Sequence, residues 1–205
     1  MKLWPIFVLV FACVLAPAAS ANSTYTWNFA TAPNASLGVN TYTYYSGGIG
    51  ITATGTSDLY YKSVGGIGGA SETGLGLACC DSDHEIEPGE SIIFNMGSLF
   101  SKNVTGITLM LGSLQSGETG QVCDAFSVCV IFTSANDAKP LSIMALYTDM
   151  KIHNSGLLTV TSGSGDVLVN QLQVTTSPVP EPSSLLMMGS GLVAMAGIVR
   201  RKLRI

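Results

Sequence analysis

The residues best suited to chemistry crowd into one stretch of this chain. Between Asp81 and Glu90, five carboxylates (Asp81, Asp83, Glu85, Glu87 and Glu90) fall within ten residues, with His84 among them. In an extended chain alternate side chains share a face, so Asp81, Asp83, Glu85 and Glu87 would line up. Like charges at that density repel unless they are solvated or bridged by a cation. Calcium suits such a set, because it accepts several carboxylate and carbonyl oxygens from an irregular loop. The spacing is not that of an EF-hand, which needs a Gly at the sixth position and an acid at the twelfth. The same acids are the material for a second chemistry, that of a carbohydrate-active hydrolase, which sets two carboxylates across a cleft and keeps one protonated. Other catalytic constellations are missing. His84-Glu85-Ile86-Glu87 lacks the second His of a zinc-protease helix, there is no G-x-S-x-G elbow, and His84 and His153 stand far apart. The expected catalytic set is therefore none, and a non-enzymatic role is expected.

Two further groups bear on chemistry. Tyr44, Tyr45, Tyr60 and Tyr61 offer flat rings with a hydroxyl, the pairing that sugars stack on. Because each pair is consecutive, one ring of each must point away from the core in a regular strand. The cysteines outside the N-terminal segment are Cys79, Cys80, Cys123 and Cys129. Their even number predicts two disulfides in an oxidising compartment, with Cys79 and Cys80 each reaching to Cys123 or Cys129, since a vicinal bridge needs an unusual turn.

The elements that must position these groups read as strands. Thr24-Tyr25-Thr26-Trp27-Asn28-Phe29 alternates small polar and aromatic residues. Further runs of strand character are 39–45, 48–54, 59–63, 91–96, 104–111, 126–133, 141–148, 157–161 and 167–175, separated by Gly, Asn, Asp and Ser clusters. No amphipathic helix of useful length is expected before the tail. About ten short strands at this spacing predict an all-β fold, a two-sheet antiparallel sandwich of jelly-roll or Greek-key type. Between residues 22 and 177, four lysines face twelve carboxylates and there is no arginine, a net of −8. Such a domain has no electrostatic footprint for nucleic acid.

Both ends carry addresses. Lys2, the apolar stretch from Leu3 to Leu15 and the small residues Ala19-Ser20-Ala21 predict a signal peptide over 1–21, cut by signal peptidase with Ala19 and Ala21 as its recognition positions. At the other end, Val179-Pro180-Glu181-Pro182-Ser183 is expected to form a stiff, extended arm, because each proline fixes its own φ and restrains the residue before it. An uncharged run from Leu185 to Val199 follows, then the basic stop Arg200, Arg201, Lys202 and Arg204. Fifteen residues at about 1.5 Å each give roughly 22 Å, a marginal transmembrane helix, with the cations held on the cytoplasmic side.

Those residues in that order resemble the PEP-CTERM sorting signal of Gram-negative bacteria. The resemblance covers 178–205 and implies recognition of the Pro-Glu-Pro box by exosortase, an integral-membrane transpeptidase that cleaves the tail. It also implies an inner-membrane-anchored precursor, then a cell-surface or extracellular product, with a link to exopolysaccharide and biofilm. The stretch from Gly74-Leu75-Gly76-Leu77 through the acids to Phe94 resembles a pattern of the exported domains in such proteins, to which no activity is attached. The expected organisation is thus signal peptide, an exported β-sandwich over 22–177 with a structural or glycan-binding role, and sorting signal.

Overall fold

The computed structural model describes residues 22–63, 72–78 and 83–178, together with Gly189, Gly191, Leu192, Met195 and Val199. Ser23–Thr176 form one unit; Met1–Asn22 and Ser177–Ile205 are grouped as a second. In the second, the five described tail residues beyond 178 are helical. The expected signal peptide, with Ala19 and Ala21, lies outside the described residues, as do most residues of the expected transmembrane helix. Among the described residues no helix is long and apolar enough to cross a membrane.

The first unit is almost entirely β. Its strands are β1 (Ser23–Asn28), β2 (Ala35–Ser36), β3 (Thr41–Ser46), β4 (Ile49–Gly55), β5 (Leu59–Ser63), β6 (Thr73–Leu77), β7 (Ser91–Asn95), β8 (Val104–Gly112), β9 (Thr119–Asp124), β10 (Cys129–Thr133), β11 (Leu141–Ser142), β12 (Leu157–Ser164) and β13 (Leu168–Thr176), and its one α-helix among the described residues is α1 (Met144–Ile152). One sheet has the order β11-β8-β13-β6-β5-β2, and β1 also pairs with β13; the other has the order β10-β9-β12-β7-β4-β3. All pairings are antiparallel. The far edge of β13 is divided, with Val169 opposite Leu75 of β6 and Gln171 to Thr176 opposite β1.

Period-two patterning explains the core. In β4 the side chains of Ile49, Ile51 and Ala53 are buried while Gly50, Thr52 and Thr54 alternate with them. Leu59, Leu75, Leu77, Leu109 and Val174 of one sheet join Ile51, Ile92, Phe94, Val122 and Phe132 of the other in a single apolar cluster. Each such side chain contributes roughly 1.5–3 kcal/mol of transfer free energy, which must offset the entropy of ordering the strands.

The outward positions of the six-stranded sheet are a separate observation. Thr41, Thr54, Ile93, Thr159 and Cys123 stand opposite one another in consecutive strands, and Thr43, Thr52, Asn95 and Leu157 form the next rung. Thr43 and Thr52 hydroxyls are 2.9 Å apart, and Thr41 Oγ1 donates to Thr54 Oγ1 at 3.2 Å.

Several expectations need correction. The run 141–148 is not one strand: only Leu141–Ser142 pairs, and Met144–Ile152 is helical. The residues from Met144 to Lys151 include no Gly or Pro and only one β-branched residue. Leu146, Tyr147 and Met150 fall on one buried side, and Tyr147 Oη donates to Leu99 O at 3.0 Å. In 126–133 only Cys129–Thr133 is strand, and residues 119–124 and 73–77 are strands that alternation alone did not reveal. Cys123 and Cys129 bond to each other rather than to Cys79 or Cys80. They are register partners across the β9–β10 hairpin, so neighbouring strand geometry, not a distant loop, brings the sulfurs together. Cys79 and Cys80 lie outside the described residues.

Candidate functional site

The chemistry of the acidic stretch is organised by two glycines. In β6, Leu75 and Leu77 point inward and are fully buried, which leaves Gly74 and Gly76 on the outer face. Opposite them in β5 stand Lys62 and Tyr60. A strand with no side chains on one face lets another stretch of backbone lie directly across it. Here the residues from Asp83 to Ile86 do so: His84 O accepts the Leu77 amide at 3.2 Å, and a Cβ at Gly76 would sit only 2.2 Å from that oxygen. His84 has φ of 62°, so the chain is not extended at this point and the simple alternation of the acids breaks. Its ring stacks on Tyr60, with centroids 3.9 Å apart and planes at 25°.

This crossing buries a lysine among acids. Lys62 Nζ contacts Glu72 Oε2 at 3.2 Å and Glu85 Oε1 at 2.5 Å, and it also donates to Asp83. Lys62 and Glu85 are 4% and 2% exposed, whereas the Asp83 side chain is 45% exposed. Burial alone would drive the ammonium to release its proton; the hydrogen bonds it donates to Asp83 and Glu85 outweigh that, and its pKa is raised. For Glu85 burial wins over the pull of Lys62, pushing the carboxyl up to about 7. One of its oxygens meets Lys62, and the side chain of Ser113 also lies against the carboxyl and counters the upward shift.

The expected ligand set is thus divided. Asp83 and Glu85 converge with Glu72, each offering an oxygen within 4.8 Å of the others, a spacing compatible with a metal ion. The Lys62 ammonium stands at their point of convergence, so calcium there would have to displace it. Glu90 instead serves a turn, its Oε2 accepting the Glu87 amide at 3.1 Å while Glu90 N donates to Glu87 O at 3.0 Å. Asp81 lies outside the described residues. Sequence reasoning missed Lys62 and Glu72; the signal was a lone lysine in an otherwise apolar and aromatic strand, opposite Gly74.

The tyrosines divide as consecutive residues must. Tyr44 is 8% exposed and Tyr45 74%. Tyr44 packs edge-on against Phe29 at 5.0 Å, and its carbonyl accepts the Trp27 indole N–H at 3.2 Å. Burial, with Tyr61 adding to it, raises the Tyr44 phenol above its ordinary pKa. Tyr61 packs against the core, whereas Tyr60 turns outward to His84.

Fold and site together define an all-β protein of two antiparallel sheets with a lysine-centred carboxylate cluster on one outer face. The tail carries a recognisable motif. Residues 178–202 match the PEP-CTERM protein-sorting motif, a match confined to this segment of the chain. The motif implies export, membrane-associated sorting and recognition by exosortase, a membrane processing enzyme. Its Val179, Pro180, Glu181, Pro182 and Ser183, and the basic Arg200, Arg201, Lys202 and Arg204, lie outside the described residues. No curated protein and no solved structure matched the chain.

Proposed function

We propose that this protein is a surface or extracellular-matrix component, delivered as a folded β-domain by its C-terminal signal and released from the inner membrane when exosortase cleaves near the Pro180-Glu181-Pro182 box. The observation that carries this reading is the sorting motif over 178–202. In it, residues 1–21 are removed by signal peptidase, 22–177 are the cargo, and 178–205 are a temporary anchor with its cations inside. Replacing Pro180, Glu181 and Pro182 together by Ala tests it: the cell-surface fraction should fall and precursor should collect in the inner membrane. Unchanged localisation would mean that the box is not read.

At its destination the domain acts by binding or scaffolding. Glycan stacking is favoured by Tyr45, which holds a large aromatic surface in solvent. The hydrolase alternative draws on Asp83 and Glu85, but both are tied to one ammonium and lack the separation that a sugar between them requires.

A further inference from the structure

The outer face of the six-stranded sheet has a chemistry of its own. Thr41-x-Thr43, Thr52-x-Thr54 and Thr159-x-Thr161 repeat the same outward pair on β3, β4 and β12. Between them β7 presents Ser91, Ile93 and Asn95, and beyond β12 lie Gln121 of β9 and Ile131 of β10. None of these outward positions is Asp, Glu, Lys or Arg, although the domain around them has a net charge of −8. Exposed sheet edges are ordinarily blunted with charge, yet the outward residue at the middle of edge strand β10 is Ile131, 51% exposed. At the opposite edge the Tyr45 ring lies against Gly50, where an added Cβ would meet Tyr45 Cε1 at 3.0 Å. The missing side chain lets the ring lie over the sheet.

We propose that this face binds an uncharged polysaccharide chain. A sugar polymer presents hydroxyl edges and C–H faces; the threonine hydroxyls and the Asn95 and Gln121 amides match the first, and the threonine methyls, Ile93 and the Tyr45 ring match the second. Charge selects the class of polymer. An anionic chain is repelled by the surrounding −8, and a cationic one is drawn to the acidic loops, leaving a neutral chain as the ligand the face suits. This rests on the binding role given above and specifies where and to what class of ligand the domain binds.

Affinity electrophoresis of the protein purified from the envelope, through gels containing dextran or hydroxyethylcellulose with alginate as an anionic counterpart, tests it. Retardation by a neutral polymer and not by alginate is expected. Thr54→Asp and Thr161→Asp should each weaken binding tenfold or more, and Tyr45→Ala about tenfold. Thr175→Asp, outward on the other sheet, should leave binding unchanged. Stronger retention by alginate, no retardation in either neutral gel, or full binding by both Asp variants would overturn the proposal. If Tyr45→Ala alone abolished binding, the site would be the β3 edge and not the face. Surface location and the C-terminal peptide, measured on the same variants, report separately on sorting, which stands or falls independently of these gels.

Discussion

Two regions of the same domain handle polarity in opposite ways. At the crossing over β6, four ionisable side chains converge on one point and Lys62 is nearly excluded from water. On the outer face of the other sheet the outward residues are uncharged and stand in hydroxyl-bearing rungs, half-buried at Thr43, Thr52 and Ile93 and exposed at Thr41 and Asn95. The first arrangement holds a crossing segment in place; the second is a set of outward residues none of which carries charge. Buried ion pairs contribute little net stability relative to apolar packing but are costly to break. The charged crossing is therefore a device that fixes one conformation, and its value lies in where it puts the backbone from Asp83 to Ile86.

The largest expected effect comes from breaking that device. Lys62→Met leaves Glu85 buried without the ammonium that faces it and should cost about 3–5 kcal/mol in denaturant unfolding. A loss below about 1 kcal/mol would show the cluster to be solvated and the contrast overstated. Next, Gly76→Ala places a methyl on the His84 carbonyl and should displace the crossing at a cost of about 1–3 kcal/mol. Faster proteolysis near His84 would check it, whereas Gly106→Ala, whose new Cβ would meet nothing nearer than Thr175 Cβ at 3.8 Å, should not open that segment.

A smaller effect concerns pH. The folded pKa of Glu85 is raised above its ordinary value, so its contribution to stability is full below about pH 4.5 and is lost as pH rises through about 7. The Lys62 pKa is raised too, and its contribution persists throughout that window. Thermal midpoints should therefore rise on going from pH 8 to pH 6, and Glu85→Gln should flatten that step. A wild-type midpoint that fell over this interval would reverse the assignment. The smallest change is on the uncharged face, where Thr54→Asp should alter unfolding free energy by no more than about 0.5 kcal/mol, since no buried partner is lost. A large destabilisation there would mean that the hydroxyl rungs hold the sheet together and are not free to bind.

The sequence made these regions legible to different degrees. Alternation was enough to place β3, β4 and β13, because one face of each meets the core and a register slip would expose it. It could not reveal β6, whose Gly-Leu-Gly-Leu pattern reads as a loop until the segment from Asp83 to Ile86 is laid across it. The acids were seen as a group in search of a cation, but Lys62 is 21 residues from Asp83 and only the β5–β6 pairing brings it there. The helix at Met144–Ile152 was missed for a related reason: its buried side is set by Leu99 and the end of the core, which local periodicity does not contain. The disulfide followed from hairpin register, invisible until β9 was recognised as a strand.

If the tail is a sorting signal and the β-domain its cargo, both ends of the surface protein should be processed. Intact mass and terminal-peptide analysis of the protein isolated from its native envelope reads both ends at once. The mature chain should begin near Asn22 and lack the residues beyond the Pro180-Glu181-Pro182 box. A surface protein that still ended at Ile205 would contradict it.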